Sequence, residues 1–410
     1  MNRPSLPLLS AALLGASLAV PAQAEDLRVT VAEYSAKTGP YFETVAEAFE
    51  AANPDTDIQI EVVPWDVLLQ KLTTDISGGA NADLSIIGTR WLIDFVEQGI
   101  AAPLDEYMSD DFRDSFFPAV LETAKLEGET YGLPIASSAR AMFYNEALFE
   151  QAGIDGPPDT WDQLVEDAGK IAALGDDIAG FGMQGKEIET DTYFYYAFWA
   201  QGGELLEADG SSGLDSDAAI KAATIYKGMI DAGVTQPGVT SYSREDVQNL
   251  FKQGKVGMMI TAPFLSGQIK DEAPDLQYGI APIPAGPDGA RGTYGVTDSI
   301  ILFENSEHKE LAWRFVEALF GDEQRRAFSS GEGFLPVNQR VAAMPEFADD
   351  EDLKAFAEIL PDARYAPVIA GWEEVADITS SAIQTIYLGD GEIEATLKEA
   401  AGRIDDVLDR

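Results

Sequence analysis

The first hundred residues switch repeatedly between two hydrophobic periods, and this alternation restricts the fold more than any other feature. Leu27, Val29 and Val31 recur at every second position, as in a strand. A polar loop, Glu33-Tyr34-Ser35-Ala36-Lys37-Thr38-Gly39-Pro40, follows it. Phe42, Val45, Ala46 and Phe49 then fall at helical spacing, and that helix ends before Pro54. Ile58, Ile60 and Val62 alternate again; Leu68, Leu72 and Ile76 return to the helical period, stopped by Gly78-Gly79. Residues 84–87 form a short apolar strand, and Trp91, Leu92, Phe95 and Val96 a further helix ended by Gly99. A β-α-β-α-β-α order predicts an α/β chain whose mostly parallel sheet is covered by helices on both faces.

Beyond Tyr131-Gly132-Leu133-Pro134 the alternation breaks. Residues 141–145 and 256–260 read as strands. Thr160-Trp161-Asp162-Gln163 reads as a capping box, opening a helix with Leu164, Val165, Ala168 and Ile171 on its core face and Gly175 at its end. An aromatic run occupies 193–199, in which Tyr195, Tyr196, Phe198 and Trp199 are best explained by helical packing, and further helices are expected over 218–232 and 244–253. Ser306 is expected to cap a helix with Leu311, Phe315, Val316 and Leu319 inward, and the tail after Glu392 is helical. There is no repeat and no flexible linker, although about 386 residues are enough for two domains. Two lobes without a linker imply that the chain crosses between them more than once.

Arg3, the apolar residues 6–20 and Ala22-Gln23-Ala24 are the three parts of a secretory signal peptide, predicted to span 1–24. The apolar run is shorter than the roughly 20 residues that span a bilayer. The chain has no cysteine. Disulfides and a lipid-modified Cys are thereby excluded, so an untethered exported protein is expected, retained in a periplasm.

Acidic residues number 71 against 27 basic, a formal charge of −44. Such a field repels nucleic acid and anionic lipid, so neither is expected as a partner. The single histidine, His308, and the absence of cysteine argue against zinc, redox metals and His-based nucleophilic catalysis. No phosphate loop, nucleophile elbow or dinucleotide fingerprint occurs. No cofactor and no metal are expected. A glycosidase, which needs only two carboxylates, stays open as an alternative.

Several short motifs occur in one order along the chain. They include Phe49-Glu50-Ala51-Ala52-Asn53-Pro54, Gly78-Gly79-Ala80-Asn81-Ala82-Asp83-Leu84, Tyr131-Gly132-Leu133-Pro134 and Phe143-Tyr144-Asn145. Gly99 through Pro103-Leu104-Asp105, Pro158-Asp159-Thr160-Trp161, Phe251-Lys252-Gln253-Gly254-Lys255-Val256-Gly257-Met258, Thr261-Ala262-Pro263-Phe264 and Gly333-Phe334-Leu335-Pro336-Val337 complete the set. The ordered set resembles the family 1 extracellular solute-binding proteins of ABC importers, which include the maltose-binding proteins. The resemblance implies a periplasmic-binding-protein fold of two α/β lobes joined by three crossings, near 137–140, 295–299 and 344–351. It divides the chain into an N-terminal lobe of 25–137 plus 299–345 and a C-terminal lobe of 138–298 plus 346–410. It also implies a monomer, no enzymatic activity, a carbohydrate ligand in the cleft, and delivery to the transmembrane permease subunits of an ABC importer. A binding protein for another solute, such as a polyol phosphate, is the alternative.

Sugars present an apolar C–H face suited to aromatic rings and a rim of hydroxyls suited to carboxylates, Arg and amides. In an open α/β sheet such groups belong on loops at the carboxyl ends of strands. Tyr34 and Thr38 follow the first strand, Trp65 and Asp66 the second, Arg90 and Trp91 the third. Trp65 and Trp91 have a second reading as core residues. Placed by the resemblance, Ser138 and Arg140 lie at the first crossing, with Gly295 and Asp298 at the second. Asp191 and Tyr193 open the aromatic run at a common ligand-contact position. Phe264 stands where the family usually has a larger aromatic platform, and Trp372 is the expected platform of the C-terminal lobe.

Overall fold

In the computed structural model of the chain, residues 25–186, 189–359, 363–367 and 369–409 are described. The expected signal peptide lies outside them. Among the described residues no helix is long and apolar enough to cross a membrane.

The strands are β1 (Glu25–Glu33), β2 (Thr56–Pro64), β3 (Leu84–Gly88), the hairpin β4 (Lys125–Leu126) and β5 (Glu129–Thr130), β6 (Leu133–Ser138) and β7 (Ala141–Asn145). Then follow β8 (Ala179–Gly182), β9 (Val256–Thr261), β10 (Tyr278–Ala281), β11 (Thr293–Tyr294), β12 (Val296–Leu302) and β13 (Ala363–Arg364). One sheet has the order β2-β1-β3-β12-β6, the other β10-β7-β9-β8. β1 is parallel to β2 and β3, as the alternating hydrophobic periods require. β12 returns from far along the chain and runs antiparallel between β3 and β6, so the sheet is mixed. In the second sheet β7 is antiparallel to both its neighbours, while β8 and β9 are parallel.

Each sheet has its own core. Leu27, Val29 and Val31 of β1 pack with Phe42, Val45 and Phe49 of the helix Thr38–Ala52, and with Ile300 to Leu302 of β12 and Phe315. The second core holds Trp161, Tyr226, Trp372 and the helix Thr190–Ala200, every residue of which is buried. That all-round burial accounts for the aromatic run without invoking a ligand. A smaller cluster joins Phe143, Phe251 and Phe356 on the other face of the second sheet.

The helix ends follow their local sequence signals only in part. Gly79 ends the helix Trp65–Gly78 in the left-handed conformation, φ 64°. Thr160 Oγ1 accepts from the Gln163 amide at 3.2 Å, but the Gln163 side chain accepts from the Asp159 amide instead of Thr160, so the capping box is half formed. Ser306 does not cap the helix Lys309–Leu319; its hydroxyl accepts from the His308 amide and donates to Asp83 Oδ1 at 2.6 Å, tying that turn to the loop before β3. The polar loop after β1 is shorter than its composition suggests, because the helix already starts at Thr38.

Candidate functional site

The carboxyl ends of β1, β2 and β3 face the second sheet across a cleft of three adjoining compartments, and Trp65 borders all of them. The innermost compartment is small, about 70 Å³, and its lining includes Tyr34, Ser138, Arg140, Phe264 and Asp298. Beside it lies a chamber of about 280 Å³ bounded by Arg90, Trp91, Gly295 and Tyr365. The third, about 740 Å³ and open, forms the mouth, with Asp66, Arg244 and Gln384 on its walls.

The segments that follow β1, β2 and β3 build an aromatic stack. The rings of Tyr34 and Trp65 are 6.1 Å apart and those of Trp65 and Trp91 5.3 Å, both near parallel. Tyr34 is set by its loop: Thr38 Oγ1 accepts from the Tyr34 and Ser35 amides and donates to Glu332 Oε1 at 2.7 Å. Tyr34 also donates to Asp298 Oδ2 at 2.9 Å, linking the end of β1 to the start of β12. Burial and the Asp298 carboxylate push its hydroxyl pKa well up. Asp298 is 4% exposed, and its second oxygen, Oδ1, has no partner. Burial raises its pKa to about 7, although Tyr34 and Arg140 pull the other way.

The opposite wall is a lattice of ion pairs. Glu189 bridges Arg140 at 3.2 Å and Arg244 at 2.9 Å. Burial works against its charge, but Arg244, Arg140 and Arg90 outweigh burial and hold the carboxyl below the usual range. Arg140 also donates to Ser138 Oγ at 2.8 Å. Arg244 reaches Glu245 at 2.6 Å and lies 5.2 Å over the Phe264 ring, so that face of Phe264 is covered by a guanidinium. Arg90 crosses from the first lobe to Glu373 at 2.7 Å and to Asp191 at 3.6 Å. Burial opposes the Arg90 charge, yet Glu373 and Asp191 raise its pKa on balance. Asp191 itself is pushed up to about 7, because complete burial outweighs Arg90. Two further contacts span the cleft: Lys37–Asp271 at 2.8 Å, and the Gly371 amide donating to Asp94 Oδ1 at 3.2 Å.

Of the residues singled out in the sequence, Tyr34, Trp65, Ser138, Arg140, Phe264 and Asp298 meet in the inner compartment. Arg90, Trp91 and Gly295 border the chamber, and Asp66 the mouth. Four do not line the cleft. Thr38 is buried and shapes the Tyr34 loop; Asp191 is buried behind Arg90. Tyr193 donates into the backbone of β9 at Ile260. Trp372 starts the helix Trp372–Leu388 and is 1% exposed in the second core, so it offers no platform. The exposed ring on that side is Tyr365, packed so closely on Gly295 that a Cβ there would sit 2.5 Å from the ring. Glu189, Arg244, Glu332 and Tyr365 on the walls, and Glu373 paired with Arg90, carry no sequence motif that marks them.

The model of the bacterial extracellular solute-binding protein family matches residues 32–326. The chain belongs to this family. A Brucella abortus (strain 2308) relative, named as a binding protein without a stated ligand, is 65% identical to this solute-binding protein, covering 96% of it and 95% of the relative. The maltotriose-binding protein of Pyrococcus abyssi is 27% identical, covering 87% and 77% of the two chains. Among solved structures, an ABC transporter solute-binding protein of Thermotoga lettingae bound to α-D-tagatose is 25% identical and superposes with a TM-score of 0.87, covering 94% of this chain and all of that one. The two-lobed periplasmic-binding-protein fold is thus shared.

Proposed function

We propose that this solute-binding protein is the periplasmic component of an ABC transporter, which captures a sugar, polyol or small glycoside by hinge closure and delivers it to the membrane permease. The observation that carries this reading is the inner compartment. It combines the Tyr34–Trp65 pair of stacked rings, backed by Trp91, with a buried, unpartnered acceptor, Asp298 Oδ1. Rings bind the C–H face of a sugar, and a desolvated carboxylate oxygen favours a hydroxyl donor over none. Relatives named for maltotriose and, in Pseudomonas aeruginosa, for mannitol support the ligand class. Arg90, Arg140 and Arg244 all face carboxylates, which disfavours the phosphorylated alternative. The lobes we infer are 25–137 plus 299–345 and 138–298 plus 346–410, acting as a monomer.

A ligand that binds only the folded chain adds about 2.7 kcal/mol of stability at 100 times its dissociation constant. Thermal melts against a broad panel of sugars, polyols and glycosides should therefore give at least one upward shift. A flat response across the panel removes the carbohydrate reading. Recovery of each glycoside intact after prolonged incubation separates capture from hydrolysis.

A further inference from the structure

The chamber beside the inner compartment differs from it in chemistry. Leu92, Ile93, Ala119, Leu126, Ala366 and Pro367 supply much of its wall, together with the edges of Trp65 and Trp91. Apart from Asp298, its charged side chains already have partners: Arg90 is held by Glu373 and Asp191, Glu189 by two arginines, and Glu122 by Lys125 at 2.9 Å. Three of its four threonines are engaged too, Thr89 with Ser299 at 2.8 Å and Thr123 with Thr297 at 3.0 Å, which leaves Thr192. The Tyr294 hydroxyl and the Trp91 indole lie against the Arg90–Glu373 pair without meeting hydrogen-bond geometry. Asp298, with its open acceptor, stands where the chamber meets the inner compartment.

A ring bearing several hydroxyls pushed into such a chamber would leave water for few replacement partners, a cost of about 1–3 kcal/mol for each polar group left unpaired. An apolar group would lose nothing and would shed ordered water. Trp65 and Asp298 border both compartments, so one ligand can occupy the two at once.

The geometry points to a ligand of two unlike halves: a hydroxyl-rich ring in the inner compartment, joined near Asp298 to an apolar aryl or alkyl group in the chamber, that is, a glycoside with an apolar aglycone. This inference rests on the carbohydrate reading and narrows it. A second sugar ring is the competing occupant.

Calorimetric titration of the mature protein decides between them. The probes are D-glucose, D-galactose and D-mannose, each as free hexose, as both phenyl glycoside anomers, and as disaccharides extended at the same position. For at least one hexose, a phenyl glycoside should bind at least tenfold tighter than both the free sugar and its disaccharides. Ala119→Leu, at an exposed wall position, should bring the phenyl-to-free ratio close to one while the melting temperature holds. A disaccharide that equals or exceeds the phenyl glycoside overturns the inference, as does a ratio that Ala119→Leu leaves unchanged. Binding of free hexoses with no phenyl advantage overturns this inference alone. Failure of every probe to bind overturns this inference, and the carbohydrate reading falls with it when the broad melting panel is flat as well.

Discussion

The two walls of the cleft are made of different material. The first lobe presents stacked rings that follow three parallel strands in order. The second presents guanidinium and carboxylate groups gathered from residues far apart in sequence, Arg140, Glu189, Arg244 and Glu373. A ring wall tolerates the loss of a half-exposed member such as Trp65, since no charge is stranded by it. An ionic wall does not, because removing one charge strands its partners in a desolvated place. The ring wall should therefore govern affinity and the ionic wall the integrity of the lobe.

The largest effect should come from Glu189→Ala, which leaves Arg140, 3% exposed, without its carboxylate. Chemical denaturation should show a loss of about 3 kcal/mol; a loss under about 1 kcal/mol would mean that the lattice is ornamental. Next is Trp65→Ala, which should weaken ligand about 30-fold, equivalent to roughly 2 kcal/mol. Its melting temperature should stay near that of the parent. A large drop in melting temperature with unchanged affinity would invert the contrast between the walls.

A third test uses proton linkage at Asp298. Its pKa of about 7 lies above the ordinary carboxylate value, so the folded chain holds an extra proton between about pH 4 and 7. Unliganded stability contributed by this group falls as pH rises through that window, and Asp298→Asn should flatten the fall relative to the parent. A ligand hydroxyl donating to Oδ1 favours the ionised form, so affinity should rise several-fold from pH 5.5 to 8. Affinity indifferent to pH would take Asp298 out of the ligand contacts. The smallest effect is expected from Lys37→Ala. Its pair with Asp271 spans the cleft, but both side chains are more than half exposed, and such pairs contribute about 0–1 kcal/mol. A change in affinity beyond about fivefold would show that this contact works as a clasp.

The same contrast explains what could be read in the sequence. The ring wall was legible because hydrophobic period locates β1, β2 and β3, and strand ends then locate Tyr34, Trp65 and Arg90. Thr38 was placed correctly in the chain but not in its task; nothing local separates a hydroxyl that faces ligand from one that fixes a loop. Trp372 misled for a related reason, as a Trp opening a helix after Gly371 looks alike whether it faces core or cleft. Among 71 acidic residues, Glu189 and Glu373 carry no individual signal. Two missed charges did leave a trace. Arg244 is the first residue of the helix Arg244–Lys252, and Glu332 the last of Asp322–Glu332, each at the end where the helix dipole opposes its sign. Charges placed against a dipole need another reason to be there, and both border the inner compartment. The antiparallel β12 was hidden because pairing with β3 joins segments about two hundred residues apart, beyond any periodicity.

The position of Trp65 has a practical consequence. The chain has six tryptophans; Trp91, Trp161, Trp199, Trp313 and Trp372 are buried, while Trp65 keeps part of its indole open to all three compartments. The protein thus carries its own optical gauge. Emission from one half-wetted indole, set against five dry ones, should shift in colour and intensity whenever any part of the cleft fills, with no dye or label required.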